Sequence, residues 1–129
     1  MEFSFLLIED NVIDQLVTTQ LLKKNFDLTE VIIANNGKEG IEWLHDHEIG
    51  FDDPLIILLD IRMPEMDGFE FLSEYEKLPD TFKEKTQIFM LSSTLDSEDI
   101  QRAENNTYVQ RLLGKPFPVT EFKKLICHE

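Results

Sequence analysis

The stretch Leu55-Ile56-Ile57-Leu58-Leu59-Asp60 decides the fold. Its five consecutive apolar residues, rich in Ile and Leu and too few to cross a membrane, read as a strand buried on both faces. Such strands belong to parallel sheets covered by helices above and below, which erase the apolar–polar alternation of a half-exposed strand. The run ends on a carboxylate, and a charge at the tip of a dry strand costs stability unless something compensates it. Ile61-Arg62-Met63-Pro64-Glu65-Met66-Asp67-Gly68 follows, a loop with Pro and Asp-Gly turn signals. In open parallel sheets the functional crevice lies beyond the carboxyl ends of the strands, where this pattern puts Asp60.

Toward the N-terminus, Phe3–Ile8 is a second apolar run, and it too ends in acid, at Glu9-Asp10. Asn11 is placed to cap a helix reaching to about Asn25, with Asp14 in its first turn favourable to the dipole. Ile13, Leu16, Val17 and Leu21 make the expected apolar stripe of that helix. Glu30–Ala34 reads as a short strand closed by Asn35-Asn36-Gly37, and Lys38–His47 as a helix with Ile41 and Leu44 inward. A loop, Gly50–Pro54, leads into the central strand.

Toward the C-terminus, Phe71, Leu72, Tyr75 and Leu78 fall on one helical face, and Pro79–Thr86 reads as a polar, charged loop. Gln87–Leu91 is a fourth strand ending in Ser92-Ser93-Thr94, and Asp96 caps a helix through about Asn105. Tyr108–Leu113 is a fifth strand stopped by Gly114-Lys115-Pro116, and the last helix spans Val119–Cys127 with Phe122, Leu125 and Ile126 inward. Strand and helix thus alternate five times. Short loops and right-handed crossovers then predict an α/β, doubly wound parallel sheet, a (βα)5 sandwich in one domain over residues 1–129. No output module is expected after the last helix.

Net charge is −14, from 26 acidic and 12 basic residues. Such a balance repels nucleic-acid backbones and anionic membranes, so neither is an expected direct partner; cations and basic protein surfaces are. The single cysteine, Cys127, has no internal disulfide partner, and neither a signal peptide nor a spanning segment is read. A cytoplasmic protein is the expectation.

Chemistry concentrates at the strand ends: Glu9-Asp10 after the first, Asp60 after the third, Ser92 after the fourth, Lys115 after the fifth. A parallel sheet gathers them on one edge. Carboxylates crowded together raise one another's proton affinity, a conflict that a hard divalent cation relieves. Oxygen-only donors with no His or Cys nearby favour Mg²⁺, Mn²⁺ or Ca²⁺ over zinc. With one ammonium and one hydroxyl added, the set suits stabilisation of a phosphoryl group. His45, His47 and His128 have no second ligand at metal spacing and read as surface residues, and Trp43 as packing or exposed helix face.

These residues resemble the receiver domain of two-component response regulators, in particular stand-alone receivers of the chemotaxis-regulator type. The resemblance rests on Glu9-Asp10, on Leu59-Asp60 with Met63-Pro64-Glu65-Met66-Asp67-Gly68, on Ser92-Ser93 and on Lys115-Pro116, in order and at family spacing over nearly the whole chain. It implies a flavodoxin-like strand order 2-1-3-4-5. It implies that Asp60 accepts a phosphoryl group from a phosphohistidine on a sensor histidine kinase or histidine phosphotransfer protein. Mg²⁺ would be held by Asp10 directly, by Glu9 largely through water, by Asp60, and by the backbone carbonyl of Arg62. Ser92 would hydrogen-bond the phosphoryl oxygens, and Lys115 would pair with Asp60 or its phosphate, with Lys115-Pro116 cis. Gly68 and Pro64 would shape the loop beside the acceptor, and Arg62 and Thr94 stand where the family tunes phosphate lifetime. One departure is Leu112, where receivers often carry Tyr or Phe; Tyr108 is one residue out of register to replace it.

Three other classes are weighed against this reading. An Asp-nucleophile phosphatase of the haloacid dehalogenase type wants a second Asp two residues after the first, where Arg62 stands. A flavodoxin-like electron carrier wants a Gly- and hydroxyl-rich phosphate loop after the first strand, where Glu9-Asp10-Asn11 would repel the flavin phosphate. A degenerate receiver, binding a partner without phosphate, would not need the full acceptor set. The expected function is therefore signalling by phosphorylation-dependent binding of an unnamed downstream protein, with no turnover of an external substrate.

Overall fold

A computed structural model describes residues 3–28, 30–47, 54–93 and 96–127. Strands β1 (Ser4–Ile8), β2 (Ile32–Ala34), β3 (Leu55–Asp60), β4 (Thr86–Ser92) and β5 (Val109–Gly114) pair in parallel, in the order β2-β1-β3-β4-β5. The helices are α1 (Val12–Phe26), α2 (Gly37–Asp46), α3 (Gly68–Tyr75), α4 (Asp80–Lys83), α5 (Ser97–Asn105) and α6 (Val119–Ile126). This is the doubly wound, flavodoxin-like α/β architecture expected from the strand pattern and the resemblance.

Every residue of β3 is buried, which is why its sequence shows no alternation. Leu55, Ile57 and Leu59 enter a core shared with Ile41, Leu44, Phe71, Leu72 and Ala103, beneath α2, α3 and α5. Ile56 and Leu58 enter the opposite core with Leu22, Phe122 and Ile126, beneath α1 and α6. Phe122 anchors that second layer, its ring within 5.1 to 6.1 Å of those of Phe5, Phe26, Phe89 and Phe117. Side chains of this size each contribute about 1.5–3 kcal/mol when fully buried, so the two layers clamp the sheet between them.

Polar residues set where the helices begin. Asn11 accepts from Asp14 N, Asn36 from Glu39 N, and Asp67 from Glu70 N, with Glu70 reaching back to Asp67 N in a capping box. Asp96 caps α5 as expected. Strand ends differ from the sequence reading by one or two residues: β2 starts at Ile32, β4 runs Thr86–Ser92, and β5 runs Val109–Gly114. The loop residues 50–53, Thr94 and His128 lie outside the described residues.

Two expectations are corrected. Pro79–Thr86 contains a single helical turn, α4, because Phe82 is buried and pulls the segment onto β4. The expected stripe on α1 also has the wrong phase: Ile13 is 65% exposed, Leu16 54% and Val17 41%, while Thr18 and Leu22 face the sheet and Leu21 packs at the edge. Apolar residues surround this helix nearly evenly, so their spacing carries no phase. The correction has a measurable consequence. Leu22→Ala is expected to destabilise the fold by about 2–5 kcal/mol, whereas Leu16→Ser should change it by no more than about 0.5 kcal/mol; urea unfolding of the two variants distinguishes this helix orientation from the reverse.

Candidate functional site

The parallel register brings the strand tips level. Ile8 stands beside Leu59, Asp60 beside Leu91, and Ser92 beside Gly114, so the residues at or just after these positions share one edge. A cleft of about 210 Å³ opens there, lined by Glu9, Asp10, Asp14, Asp60, Ser92 and Lys115 among others. Glu9 and Asp60 are buried and Asp10 is exposed, and one oxygen from each lies within 4.8 Å of the other two. Opposite ligands of an octahedral Mg²⁺ stand about 4.2 Å apart, so the spread suits one such ion after small side-chain rotations. An all-oxygen, acid-rich donor set fits that ion chemically as well.

Local structure holds the acceptor candidate in place. Asp60 Oδ1 accepts from Ile61 N at 2.9 Å, and Gly68 N donates to Ile61 O at 2.8 Å, folding the loop back on the strand. A Cβ on Gly68 would lie 2.6 Å from the Asp60 carbonyl, which is why Asp67-Gly68 can close so tightly beside β3. Glu65 takes a positive φ of 65° inside the same loop, and Asn36 donates to its side chain. Lys115-Pro116 is cis, and Lys115 N donates to Ser92 O at 3.0 Å, tying the tips of β4 and β5.

The acids of the cleft gather around Lys115. Its ammonium lies 2.7 Å from Glu9 Oε1, 3.0 Å from Asp14 Oδ2 and 3.3 Å from Asp60 Oδ1. Burial acts to lower the lysine pKa, but hydrogen bonds to Glu9 and Asp14 together outweigh it and hold the ammonium above its ordinary value. Burial pushes the Glu9 carboxyl up to about 7, against the opposing hydrogen bond from Lys115, with the Asp60 charge adding to the rise. Burial likewise raises Asp60, opposed by Lys115 and by a hydrogen bond with Glu9. Without a metal, the two carboxyls thus tend to share a proton.

The residues expected at the site are brought together. Ser92 and the Arg62 segment line the same cleft. Tyr108 is not there: it sits before β5, at the far end of the strand, edge-on to Tyr75 and near Lys83 Nζ. Leu112 packs against the core. The sequence reading missed Asp14 as a lysine partner, its place in the first turn after Asn11 being explained by the helix dipole alone. It also missed an ion pair from the Arg62 guanidinium to the buried Asp99 on α5, 2.5 Å long. A lone buried Asp three residues past a cap carries no separate signal of that kind.

Fold and cleft together define a doubly wound α/β protein with an acidic pocket at its strand ends. Response regulator receiver domain is the family whose sequence profile matches, over residues 5–127, and the chain belongs to it. A response regulator receiver protein from Dyadobacter fermentans superposes with a TM-score of 0.88 at 32% identity, covering 97% of this chain and 95% of that one. A two-component response regulator from Cytophaga hutchinsonii gives 0.85 at 27% identity, covering 96% and 93%. The probable methanogenesis regulatory protein FilR2 of Methanothrix harundinacea is 28% identical over 96% of this chain and 79% of its own length. The probable C4-dicarboxylate response regulator DctR of Bacillus subtilis is 28% identical over 97% of this chain, which spans 51% of that protein. No helix among the described residues is long and apolar enough to cross a membrane.

The carboxyl pair sets a pH dependence. The folded state keeps a proton on Glu9 up to about pH 7, while the unfolded chain loses it near 4.5, so folding is favoured in acid and weakens as pH rises between them. Metal-free protein should lose on the order of 3 kcal/mol of stability from this group between pH 4.5 and 8. Thermal melts across that range should show a falling Tm that Mg²⁺ restores at pH 8 and that Glu9→Gln flattens. A Tm that rises over the same range contradicts the assignment.

Proposed function

We propose that the chain is a Mg²⁺-dependent phosphoryl acceptor that relays a two-component signal through Asp60. The observation that carries this reading is the convergence of Glu9, Asp10 and Asp60 with Lys115 at one sheet edge. Glu9, Asp10, Asp60 and the Arg62 backbone carbonyl would hold the ion, which supplies positive charge at the phosphoryl oxygens. An Asp60 oxygen attacks the phosphorus of a phosphohistidine; the P–O bond forms as the P–N bond breaks, and the imidazole leaves with the bonding pair. Lys115 pairs with the transferred group, and the Ser92 hydroxyl donates to its oxygens. Water later returns Asp60 to the carboxylate, so the chain processes only its own phosphate and turns over no external substrate.

The donor is a sensor histidine kinase or a histidine phosphotransfer protein. The exposed Val12, Ile13, Leu16 and Val17 on the first turns of α1, beside Asp14 at the cleft, offer such a protein an apolar surface. The output is a changed affinity for a downstream protein, in the cytoplasm. A phosphatase reading finds no support, because Arg62 stands where a general acid is needed and its guanidinium is held by Asp99.

Incubation with Mg²⁺ and acetyl phosphate, followed by intact mass, tests the reading. Wild type should gain one phosphate, Asp60→Asn none, and Asp10→Asn far less at the same Mg²⁺ concentration. Label retained in Asp60→Asn, or absent from wild type, overturns it.

A further inference from the structure

Three carboxylates compete for one lysine in the cleft, and one of them has no place in the acceptor set. Asp14 lies on the first turn of α1, donates its backbone N–H to the Asn11 cap, and extends its side chain to Lys115. Its carboxylate is outside the group of Glu9, Asp10 and Asp60 whose oxygens are close enough to share an ion. Its side chain is 40% exposed, against 1% for Glu9, so solvent screens its pairing with the lysine and its hold there is moderate. Lys115 is accordingly drawn toward α1: its contacts with Glu9 and Asp14 are both shorter than its contact with Asp60.

We propose that Asp14 is a positioning residue, one that holds the Lys115 ammonium on the α1 side of the cleft and so sets how tightly a phosphoryl group on Asp60 is retained. The proposal rests on the reading of Asp60 as phosphoryl acceptor. An ammonium has three N–H donors, and a phosphoryl group on Asp60 brings new oxygens that need one of them. A cation bound by Glu9, Asp10 and Asp60 takes over the charge that Lys115 otherwise balances on Glu9. Asp14 gains no such replacement. It remains as the competitor that the lysine must leave, or stretch away from, to meet the phosphoryl oxygens. The identity of residue 14 therefore adjusts the site without touching the acceptor, the metal ligands or the hydroxyl donor.

Beryllofluoride, with Mg²⁺, is the probe, its affinity read by calorimetry. Asp14→Asn should bind it about three- to five-fold more tightly than wild type, the range expected from releasing a partly exposed ion pair. Asp14→Glu, which keeps the charge in reach, should return affinity to near the wild-type value. Repeating Asp14→Asn in a Lys115→Met background separates positioning from simple repulsion between Asp14 and the anion: the gain should vanish if it acts through the lysine. A gain that persists there, or no gain in the wild-type background, overturns the proposal. The ¹⁵N signal of the Lys115 ammonium in the resting protein gives a second readout, expected to move in Asp14→Asn and to hold its place in Asp14→Glu; an unmoved signal in Asp14→Asn also overturns it. Failure of wild type to bind beryllofluoride at all would instead remove the acceptor reading beneath it.

Discussion

Two carboxylates buried side by side at the end of a sheet form the constraint on which this molecule depends. Glu9 is 1% exposed and Asp60 7%, and moving a carboxylate out of water costs several kcal/mol even after the surroundings relax. The fold meets that cost with fixed groups. Asn11 N donates to Glu9 at 3.1 Å, Ile61 N donates to Asp60 at 2.9 Å, and Lys115 reaches both. Parallel pairing makes this possible, because only strands running in one direction bring the ends of β1, β3, β4 and β5 to the same edge. What remains is a net excess of negative charge around a small cleft, which is the state a divalent cation relieves.

The elements around the cleft divide by what they are asked to hold. β3 supplies Asp60 from a segment with no exposed position, so its tip is anchored by packing on both sides. The tip of β5 is anchored by hydrogen bonding, with Lys115 N on Ser92 O and its ammonium on the acids. α1 contributes Asp14 and an exposed apolar face from the same two turns, so the helix that meets solvent is also the one that touches the lysine.

Much of this was legible in the residues because burial on both faces leaves a direct trace. The runs at Phe5–Ile8 and Leu55–Leu59 have no polar alternation, and each is followed by acid, which local propensity does not explain. Asn11 and Asp96 announced their helices by type and position, whereas Asn36 and Asp67 read only as turn residues and show their capping role in the structure. What the chain did not disclose was orientation. α1 has Val12, Ile13, Leu16, Val17, Leu21 and Leu22 spread around its axis, so only contact with the sheet selects Leu22 over Leu16. Pairings between distant side chains were likewise silent: Asp14 and Lys115 are 101 residues apart, and Arg62 and Asp99 are 37 apart. A charged residue in a helix looks the same whether it faces water or a partner.

The Arg62–Asp99 pair bears on how the acceptor loop and α5 are joined. Leu112 gives β5 no aromatic ring at the position where receivers often carry one, and Tyr108 is engaged at the opposite end of the sheet. The contacts from the β3–α3 segment to α5 are of another kind: Arg62 on Asp99, and Arg102 of α5 lying 3.9 Å over the Phe69 ring. The two ends of the ion pair are unequal, since the Arg62 side chain is 62% exposed and that of Asp99 only 3%. Arg62 can be separated from its partner at little cost to itself, but Asp99 cannot be left behind, because an unpaired buried carboxylate costs about 3–5 kcal/mol. Loop and helix are therefore constrained to stay paired or to expose Asp99 to water together, which ties α5 to the state of the loop that follows Asp60.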